Sequence, residues 1–325
     1  MKNYTVRTYG ASDRALWDTF VRGAKNATFL FERGFMEYHS DRFKDHSLLV
    51  FDAQTLVAVL PANISGAVLH SHQGLTYGGL VIGPNTKVAD VIAMTYHLLR
   101  FLNASGVDKL SVKMIPPIYC DYFSDEWAYA LFLVNAQLTR RDCLSVLDLR
   151  KPYTLTKTRR QGVRRGIKNG LTIREETDFT RFWNEILIPN MRARHDVAPV
   201  HSLSEIERLH QLFPHNIRQF NVYQANQIVG GTTVFVTRNV LHPQYISGQS
   251  GKNELGTLDF LYHHLITEKF GEMPYFDFGI SNESNGRKLN QGLVFWKESF
   301  GTATVTQDFY EVDTAGFMLL ENVLI

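Results

Sequence analysis

The order of predicted strands and helices repeats once along this chain, and this repeat limits the fold more than any other feature of the sequence. Alternating apolar residues predict strands, and apolar residues at helical spacing predict helices. Each half reads strand, two helices, a meander of strands, helix, strand, helix, strand, although the residues of the two halves do not match. The repeat predicts a duplicated α/β fold (α+β mixed sheet). The boundary is expected at the charged stretch Asp148 to Pro152.

The predicted elements divide the chain into domains of residues 1–149 and 150–325. The first half contains strand Tyr4–Tyr9, helices Ser12–Lys25 and Glu32–Phe43, strands Ser47–Phe51, Leu56–Ile64 and Leu75–Val81, helix Val88–Leu102, strand Lys109–Met114, helix Ser124–Ala136 and strand Leu138–Leu149. The second half contains helix Thr156–Asn169, strand Leu171–Glu175, helices Phe179–Arg194 and Ser204–Leu212, strands Ile217–Tyr223, Ile228–Thr237 and Leu241–Ile246, helix Leu258–Phe270, strand Tyr275–Gly279, helix Arg287–Phe300 and strand Thr304–Tyr310.

Composition excludes several classes of protein. The 325 residues are 44% hydrophobic, and 34 basic against 32 acidic residues leave a net charge of +2. Such a balance does not indicate a dedicated nucleic-acid coat. Without an uninterrupted apolar run of about 20 residues or an apolar N-terminal leader, we expect a cytoplasmic protein with no membrane span. Two cysteines, Cys120 and Cys143, and no paired CxxC or HExxH motif predict no metal site.

Four segments of the second half carry a family resemblance. They are Lys157–Leu171, a basic helix; Gly230–Phe235, a central hairpin strand; Phe276–Ser281, a later core strand; and Leu289–Gly301, a closing helix with an aromatic–Lys pair. In order and spacing they resemble the FemAB-like branch of the GNAT acyltransferase superfamily. This resemblance implies two tandem GNAT-like domains, an N-terminal one matched by element order alone and taken as degenerate, and a C-terminal acyltransferase domain. The long helical arm of the tRNA-dependent peptidoglycan enzymes is absent from the sequence.

The loop between a strand and a helix near residue 250 is the candidate donor site. Glycine-rich turns at a helix N-terminus expose N–H groups that favour anions such as the diphosphate of coenzyme A. The family's pyrophosphate motif is only loosely present here, and an ordinary strand-to-helix turn would explain the loop equally well. The cofactor-binding candidates are Gln249, Ser250, Gly251, Gly256 and Thr257.

Three residues are candidate bases. Asp277 lies within an aromatic strand, where a carboxylate is costly unless it is paired or faces a cleft; a structural pair with an arginine is the alternative. Glu283 follows in the next loop, and His195 ends a helix. Burial would raise a carboxylate pKa toward the range of a general base.

Lys297 is the strongest catalytic candidate. It borders an apolar stripe of Leu289, Leu293, Trp296 and Phe300 at helical spacing. Such a lysine ordinarily lays its stem along the surface with its amine in water. The resemblance implies instead that this lysine faces the active site, where it stabilises an oxyanion or binds phosphate.

The basic helix and three further residues are the candidate substrate-binding groups. Arg160 and Arg164 belong to a run of six cations without an intervening acid, which suits phosphate; partners on other elements would explain the run equally well. Val163 and Ile167 are expected on the buried side of this helix. Tyr245, Ser281 and Trp296 lie in or beside the segments that the resemblance places at the active site. Pro243 indicates an edge strand or a bulge.

The resemblance therefore implies an N-acyltransferase. Its donor is expected to be an acyl-CoA such as acetyl-CoA, and its acceptor an amine of a small molecule or of a nucleotide-linked amino sugar, which attacks directly. One alternative is an aminoacyl-tRNA donor, which the basic helix favours and the missing arm disfavours. The other is a non-catalytic GNAT pair that binds an acyl-CoA or a partner protein.

Overall fold

The computed structural model describes residues 1–325, except for the side chains of Arg194 and His195. The chain forms two compact units. Unit 1 comprises Met1–Asp142, Asn285–Arg287 and Thr306–Ile325, and unit 2 comprises Cys143–Ser284 and Lys288–Val305. The division falls before residue 149, and the C-terminal segment belongs to unit 1, which the order of elements alone does not indicate.

Unit 1 contains two sets of strands and four α-helices within its described residues. Its elements are β1 (Thr5–Thr8), α1 (Arg14–Gly23), α2 (Arg33–Met36), β2 (Leu48–Asp52), β3 (Thr55–Leu60), β4 (Asn63–Ser65), β5 (Val68–Ser71), β6 (Val81–Ile82), α3 (Val88–Ala104), β7 (Lys109–Lys113), α4 (Glu126–Leu133), the first half of β8 (Gln137–Asp148) and most of β16 (Ala303–Asp313). One set has the antiparallel order β1-β2-β3-β6, and the other the order β4-β5-β7-β16. Short 3₁₀ turns are Ala11–Asp13, Phe29–Phe31, Glu37–His39, Pro117–Tyr119 and Thr314–Leu320.

Helix α3 forms the centre of the unit 1 core. Its apolar face buries Val91, Leu98 and Leu102 at helical spacing. Gly106, just beyond its end, has φ +77°, which is the left-handed conformation that glycine adopts at low cost. The sequence prediction for this helix is correct.

Two sequence predictions for unit 1 are wrong. The segment Leu75–Val81 is not a strand except at its last residue, and the true strand β5 was missed. Gly78 explains the error, because its backbone runs so close to Ser71 that an added Cβ would lie 1.4 Å from the Ser71 carbonyl oxygen. The predicted helix Glu32–Phe43 is also shorter, since α2 ends at Met36 and a 3₁₀ turn follows.

Unit 2 follows the predicted order closely. Its elements are α5 (Lys157–Lys168), β9 (Leu171–Glu176), a π-helical turn (Phe182–Leu187) that leads into α6 (Ile188–His195), α7 (Leu203–Leu212), β10 (Ile217–Gln224), β11 (Gln227–Val236), β12 (Val240–Gly248), α8 (Lys252–Leu255), α9 (Thr257–His264) with a π-helical turn (Leu265–Lys269), β13 (Tyr275–Ile280), β14 (Asn282–Glu283), β15 (Lys288–Leu289) and α10 (Gln291–Glu298). The strand order is β8-β13-β12-β11-β10-β9. Only β12 and β13 are parallel; the other pairs in this order are antiparallel.

The closing helix of unit 2 begins later than predicted. Residues Lys288–Leu289 form the short strand β15, which pairs with β14, so the helix does not start at Arg287. Asn290 sets the start of α10, because its side-chain oxygen accepts a hydrogen bond from Leu293 N at 3.0 Å. Leu289 therefore lies outside the helix and is 53% exposed, which removes it from the predicted apolar stripe.

Helices α5 and α9 pack unusually closely through glycine. An added Cβ would lie 1.7 Å from Asp259 Oδ2 at Gly162 and 2.6 Å from Phe260 Cβ at Gly166. At these distances a methyl group would overlap α9, so both positions of α5 require glycine. The buried face of α5 is thus built from glycines and Val163, and Ile167, predicted to be buried, is 64% exposed.

Among the helices of the described residues, none combines the length and apolarity that crossing a membrane requires.

Replacing Gly256 with alanine tests this helix contact. Gly256 has φ +76°, and its Cβ would lie 2.1 Å from the Gly162 carbonyl oxygen, so strain and overlap act together. We expect Gly256→Ala to destabilise unit 2 by roughly 2–4 kcal/mol, visible as a lower unfolding temperature. Gly251→Ala is the matched control, because a Cβ there meets no atom within 4 Å, and its unfolding temperature should equal that of the wild type. Equal temperatures for both variants would contradict the close contact.

Candidate active site

Strands β12 and β13 separate soon after they meet. They pair only at Val240↔Tyr275 and Leu241↔Phe276. Beyond these pairs β12 continues along β11 and β13 continues along β8. We call the space between the diverging strands the wedge.

Pro243 lies at an irregularity in β12. The pairing of β11 with β12 shifts register between Thr233 and Val234. Thr233 pairs with Tyr245 and Val234 pairs with Pro243, so Gln244 has no partner residue on β11. This irregularity is a β-bulge, which is one of the two arrangements that the proline predicts. The other, an edge strand, is wrong, because β12 lies between β11 and β13. Since proline has no N–H to donate, it cannot extend a ladder toward a neighbouring strand.

The opposite side of the wedge is shaped by a turn in β13. Gly279 has φ +73°, and its N–H donates to Asp277 Oδ1 at 2.7 Å. An added Cβ at Gly279 would lie 3.2 Å from Cε1 of His242, the residue that follows the last β12–β13 pair. The His242 ring therefore reaches across the wedge to the β13 backbone.

Lys297 lies at the same end of β13. Its side chain is 5% exposed, and Nζ donates to Gly279 O at 2.9 Å and to Ile280 O at 2.6 Å. Burial lowers the pKa of Lys297 to about 8, while the negative charge of Asp277 opposes this shift. The amine is therefore buried, and the alternative that this lysine keeps its amine in water is wrong. An ammonium has three N–H donors, and these two carbonyls take two of them.

The three base candidates differ in their surroundings. Asp277 is buried; its Oδ1 accepts a hydrogen bond from Gly279 N–H, and its Oδ2 lies 3.5 Å from His242 Nδ1. Glu283 lies on β14, is exposed, and accepts a hydrogen bond from Asn290 Nδ2 at 3.0 Å. The side chain of His195 lies outside the described residues. Their catalytic roles remain predictions.

Sequence reasoning missed His242. Its Nδ1 lies 3.0 Å from the Asp277 backbone oxygen and 3.5 Å from Asp277 Oδ2. The two residues are far apart in sequence and meet only because β12 and β13 are neighbours. The one available signal was a histidine directly before the proline that marks the bulge.

A cavity of about 250 Å³ opens between β12, α8, α9 and α10. It is lined by Ile246, Lys252, Asn253, Leu258, Asp259, Leu293 and Trp296. Arg159 of α5 forms an ion pair with Asp259, and burial raises the pKa of Asp259 even against this positive charge. The cavity therefore offers a mostly apolar wall, with its carboxylate already neutralised by a neighbouring cation.

The predicted donor loop is used partly for packing. Gln249 donates its side-chain amide to Ile228 O at 2.8 Å, and Gly256 lies against α5. Thr257 is fully buried, and its Oγ1 has no hydrogen-bond partner among the described residues. Ser250 and Gly251 form the open part of the loop, next to Lys252 at the cavity.

The basic helix divides its cations between two tasks. Arg159 pairs with Asp259, and Arg165 Nε donates to Asn253 O at 3.1 Å. Arg160 donates to Leu155 O at 2.9 Å. Within the described side chains, no ion pair involves the exposed Lys157, Arg164 and Lys168. Three of the six cations, Arg159, Arg160 and Arg165, thus bind groups of the protein itself. The other three form an exposed cationic face of α5.

The remaining substrate-binding candidates differ in their surroundings. Tyr245 OH accepts from His201 N at 3.1 Å and lies 2.6 Å from His201 Nδ1. Ser281 follows β13 directly; it is 2% exposed, and its Oγ has no partner in the described part of the chain. Trp296 lines the cavity. Within the same part of the chain, His, Cys, Asp and Glu form no group of three or more that could hold a metal ion.

Solved structures share this architecture over almost the whole chain. FemX has a TM-score of 0.66 at 10% identity and covers 94% of this chain and 96% of its own. L-PGS from Bacillus licheniformis has a TM-score of 0.61 at 10% identity, with 96% and 95% covered. A tandem GNAT protein from the clavulanic acid biosynthesis pathway has 0.52 at 11%, with 96% and 99% covered. No protein-family model and no curated protein sequence matches.

These likenesses establish the fold. The chain has the FemAB-like double-GNAT fold, as the sequence resemblance predicts. At these identities the neighbours do not transfer a substrate.

The environment of Lys297 predicts a titration near neutral pH. The pKa of Lys297 is lowered to about 8, and so is that of the partly buried Lys113 in unit 1. We expect lysine Cε carbon resonances, followed by NMR, to show two groups titrating near pH 8, one of which disappears in Lys297→Met. Because the unfolded lysine keeps its ordinary pKa of 10.5, the unfolded state binds more protons between these values. Wild-type stability should therefore rise from pH 8 to 10 relative to Lys297→Met. A Lys297 resonance that titrates above pH 10 would contradict its burial.

Proposed function

We propose that this chain is an acyltransferase that moves an acyl group from a coenzyme A thioester to an amine, with unit 2 as its active domain. The observation that carries the proposal is the wedge between β12 and β13, which is flanked by the buried Lys297 of α10; α10 and β12 also line the cavity. Where two parallel strands separate, the backbone N–H and C=O groups that face the gap can form hydrogen bonds with a molecule bound there. An extended amide-containing chain such as the pantetheine arm suits that environment.

The cavity supports a donor with an uncharged arm. Ile246, Leu258 and Leu293 supply apolar surface, and Asp259 is neutralised by Arg159. Lys252 and the open residues Ser250 and Gly251 border the same region, where a phosphate group would find a cation and backbone N–H groups. Gly256 contributes to helix packing, so the diphosphate is assigned to the Gly251 end of the loop.

Lys297 supports the chemistry at the carbonyl. As an amine attacks the thioester, negative charge develops on the carbonyl oxygen, and a positioned donor in a buried site stabilises that charge. Gly279 O and Ile280 O hold the lysine amine in place. Its third N–H remains for the oxyanion. Direct attack needs no nucleophilic side chain on the enzyme.

The exposed face of α5 supports a second candidate function, transfer from an aminoacyl-tRNA. Arg164, Lys157 and Lys168 are exposed cations without ion pairs among the described side chains. Such a face suits the phosphates of a nucleic acid. For the first proposal, transfer from a coenzyme A thioester, we place the protein in the cytoplasm. Its acceptor is then the amine of a small molecule or of a nucleotide-linked amino sugar.

Thermal unfolding with coenzyme A, acetyl-CoA and octanoyl-CoA tests the donor. A ligand that binds only the folded protein stabilises it by about 2.7 kcal/mol at 100 times its Kd, so a saturable rise in unfolding temperature is expected. Leu293→Trp should remove the shift, because the larger ring fills the cavity. Leu212→Trp, on the exposed end of α7, should keep it.

Absence of a shift with every thioester would contradict the coenzyme A donor. In that case, tRNA binding that is weakened by Arg164→Glu and by added salt would favour the second candidate.

Lys297→Met separates an enzyme from a binding protein. We expect this variant to bind acetyl-CoA with wild-type affinity and to lose turnover by about 10²–10³-fold, the usual effect of removing one oxyanion donor. Thiol release in the presence of amines, with glucosamine and spermidine as first acceptors, measures the turnover. Equal thiol release by variant and wild type would rule out the role of Lys297.

A further inference from the structure

We infer that His242 is the general base of the proposed acyl transfer and that Asp277 positions it. The inference rests on the proposed function and gives His242 the role for which the sequence offered Asp277, Glu283 and His195. His242 is the first residue of β12 beyond its last pair with β13, Leu241↔Phe276. It therefore stands where the wedge begins.

The hydrogen bond of His242 fixes its tautomer. Nδ1 lies 3.0 Å from the backbone oxygen of Asp277. A carbonyl oxygen only accepts, so Nδ1 carries the hydrogen and Nε2 carries the lone pair. Nε2 has no hydrogen bond to any described residue, and the side chain is 16% exposed, so an acceptor molecule can reach it.

Asp277 is arranged to act through the histidine. Its Oδ1 accepts the Gly279 N–H at 2.7 Å, and its Oδ2 lies 3.5 Å from His242 Nδ1. The carboxylate is 1% exposed, so its own access to a substrate is poor. A buried carboxylate beside Nδ1 stabilises the imidazolium that forms when Nε2 takes a proton.

The surroundings of Glu283 differ from those of His242 and Asp277. Glu283 is exposed and hydrogen-bonded to Asn290, the residue that begins α10. Its position on β14 is consistent with a role in holding the start of α10.

Gly279 keeps the space that the histidine needs. A Cβ at this position would lie 3.2 Å from His242 Cε1, and the φ of +73° disfavours any other residue. The carbonyl of the same glycine holds Lys297 Nζ. The turn of β13 at Gly279 therefore places the proposed base, His242, and the proposed oxyanion donor, Lys297, beside the same wedge.

The reaction step balances with these groups. The acceptor nitrogen attacks the thioester carbon, a C–N bond forms, and His242 Nε2 takes the proton that the nitrogen loses. The tetrahedral oxyanion beside Lys297 then collapses, the C–S bond breaks, and the thiolate leaves. The imidazolium returns its proton to the thiolate, which restores the neutral histidine.

Histidine ¹⁵N NMR tests the tautomer without any substrate. We expect the full-length protein near pH 8 to show His242 as the Nδ1–H form, identified by the resonance lost in His242→Gln. Asp277→Asn should change the Nδ1 shift of His242. A His242 resonance of the Nε2–H form would overturn the inference whatever the enzyme's substrate.

Kinetics with acetyl-CoA and an amine acceptor test the role. His242→Gln should lower kcat by about 10²–10⁴-fold, with the acetyl-CoA thermal shift unchanged, and imidazole should partly restore the rate to His242→Ala. Asp277→Asn should lower kcat with little change in KM. His264→Gln, a histidine of α9 paired with Glu268, is the matched control with wild-type kcat.

The outcomes separate the inference from the proposed function. Wild-type turnover together with full activity of His242→Gln would overturn the inference alone, as would loss of activity in Glu283→Gln but not in His242→Gln. If the wild type binds and acylates with none of the thioesters, the proposed function fails and the general-base role fails with it.

Discussion

The early end of the β12–β13 pairing is the constraint on which the site depends. Two residue pairs hold the strands together, and the bulge at Pro243 and the turn at Gly279 then direct them along different neighbours. An unpaired strand edge inside a sheet leaves backbone groups without partners. Here the gap receives side chains that provide them: His242 donates to the Asp277 carbonyl, and Lys297 donates to the Gly279 and Ile280 carbonyls.

Burying these groups has an energetic cost that the fold compensates locally. A lysine amine out of water loses solvation, which is why the pKa of Lys297 falls to about 8. Two carbonyl acceptors and the nearby Asp277 offset part of that loss. The close packing of α5 on α9 supports the same region, since Gly162 and Gly256 bring Arg159 within reach of Asp259 at the cavity wall.

Much of the fold follows from sequence pattern, and the failures have physical causes. The periodicity of α3 and the glycine beyond it predict that helix well, and the three strands of the unit 2 meander lie close to their predicted bounds. Residues 75–81 were misassigned because glycines there serve close backbone contact rather than a strand. Ile167 was misplaced because α5 buries glycines, which no hydrophobic pattern marks.

The site was only partly predictable for a related reason. Lys297 and Asp277 stood out as charges among apolar neighbours, which sequence reveals. The partners of Asp277 could not be named, since His242 meets it through strand order rather than spacing. His242 stands directly before Pro243, and that position suggests a bulge but no partner for the histidine.

Hydrogen–deuterium exchange with and without saturating acetyl-CoA tests the central claim, that the wedge of unit 2 is the donor site. The account predicts slower exchange in peptides that cover β12 with the following loop, β13 and α10, and unchanged exchange in β2 and β3 of unit 1. Protection confined to unit 1, or no protection at a concentration that raises the unfolding temperature, would contradict it.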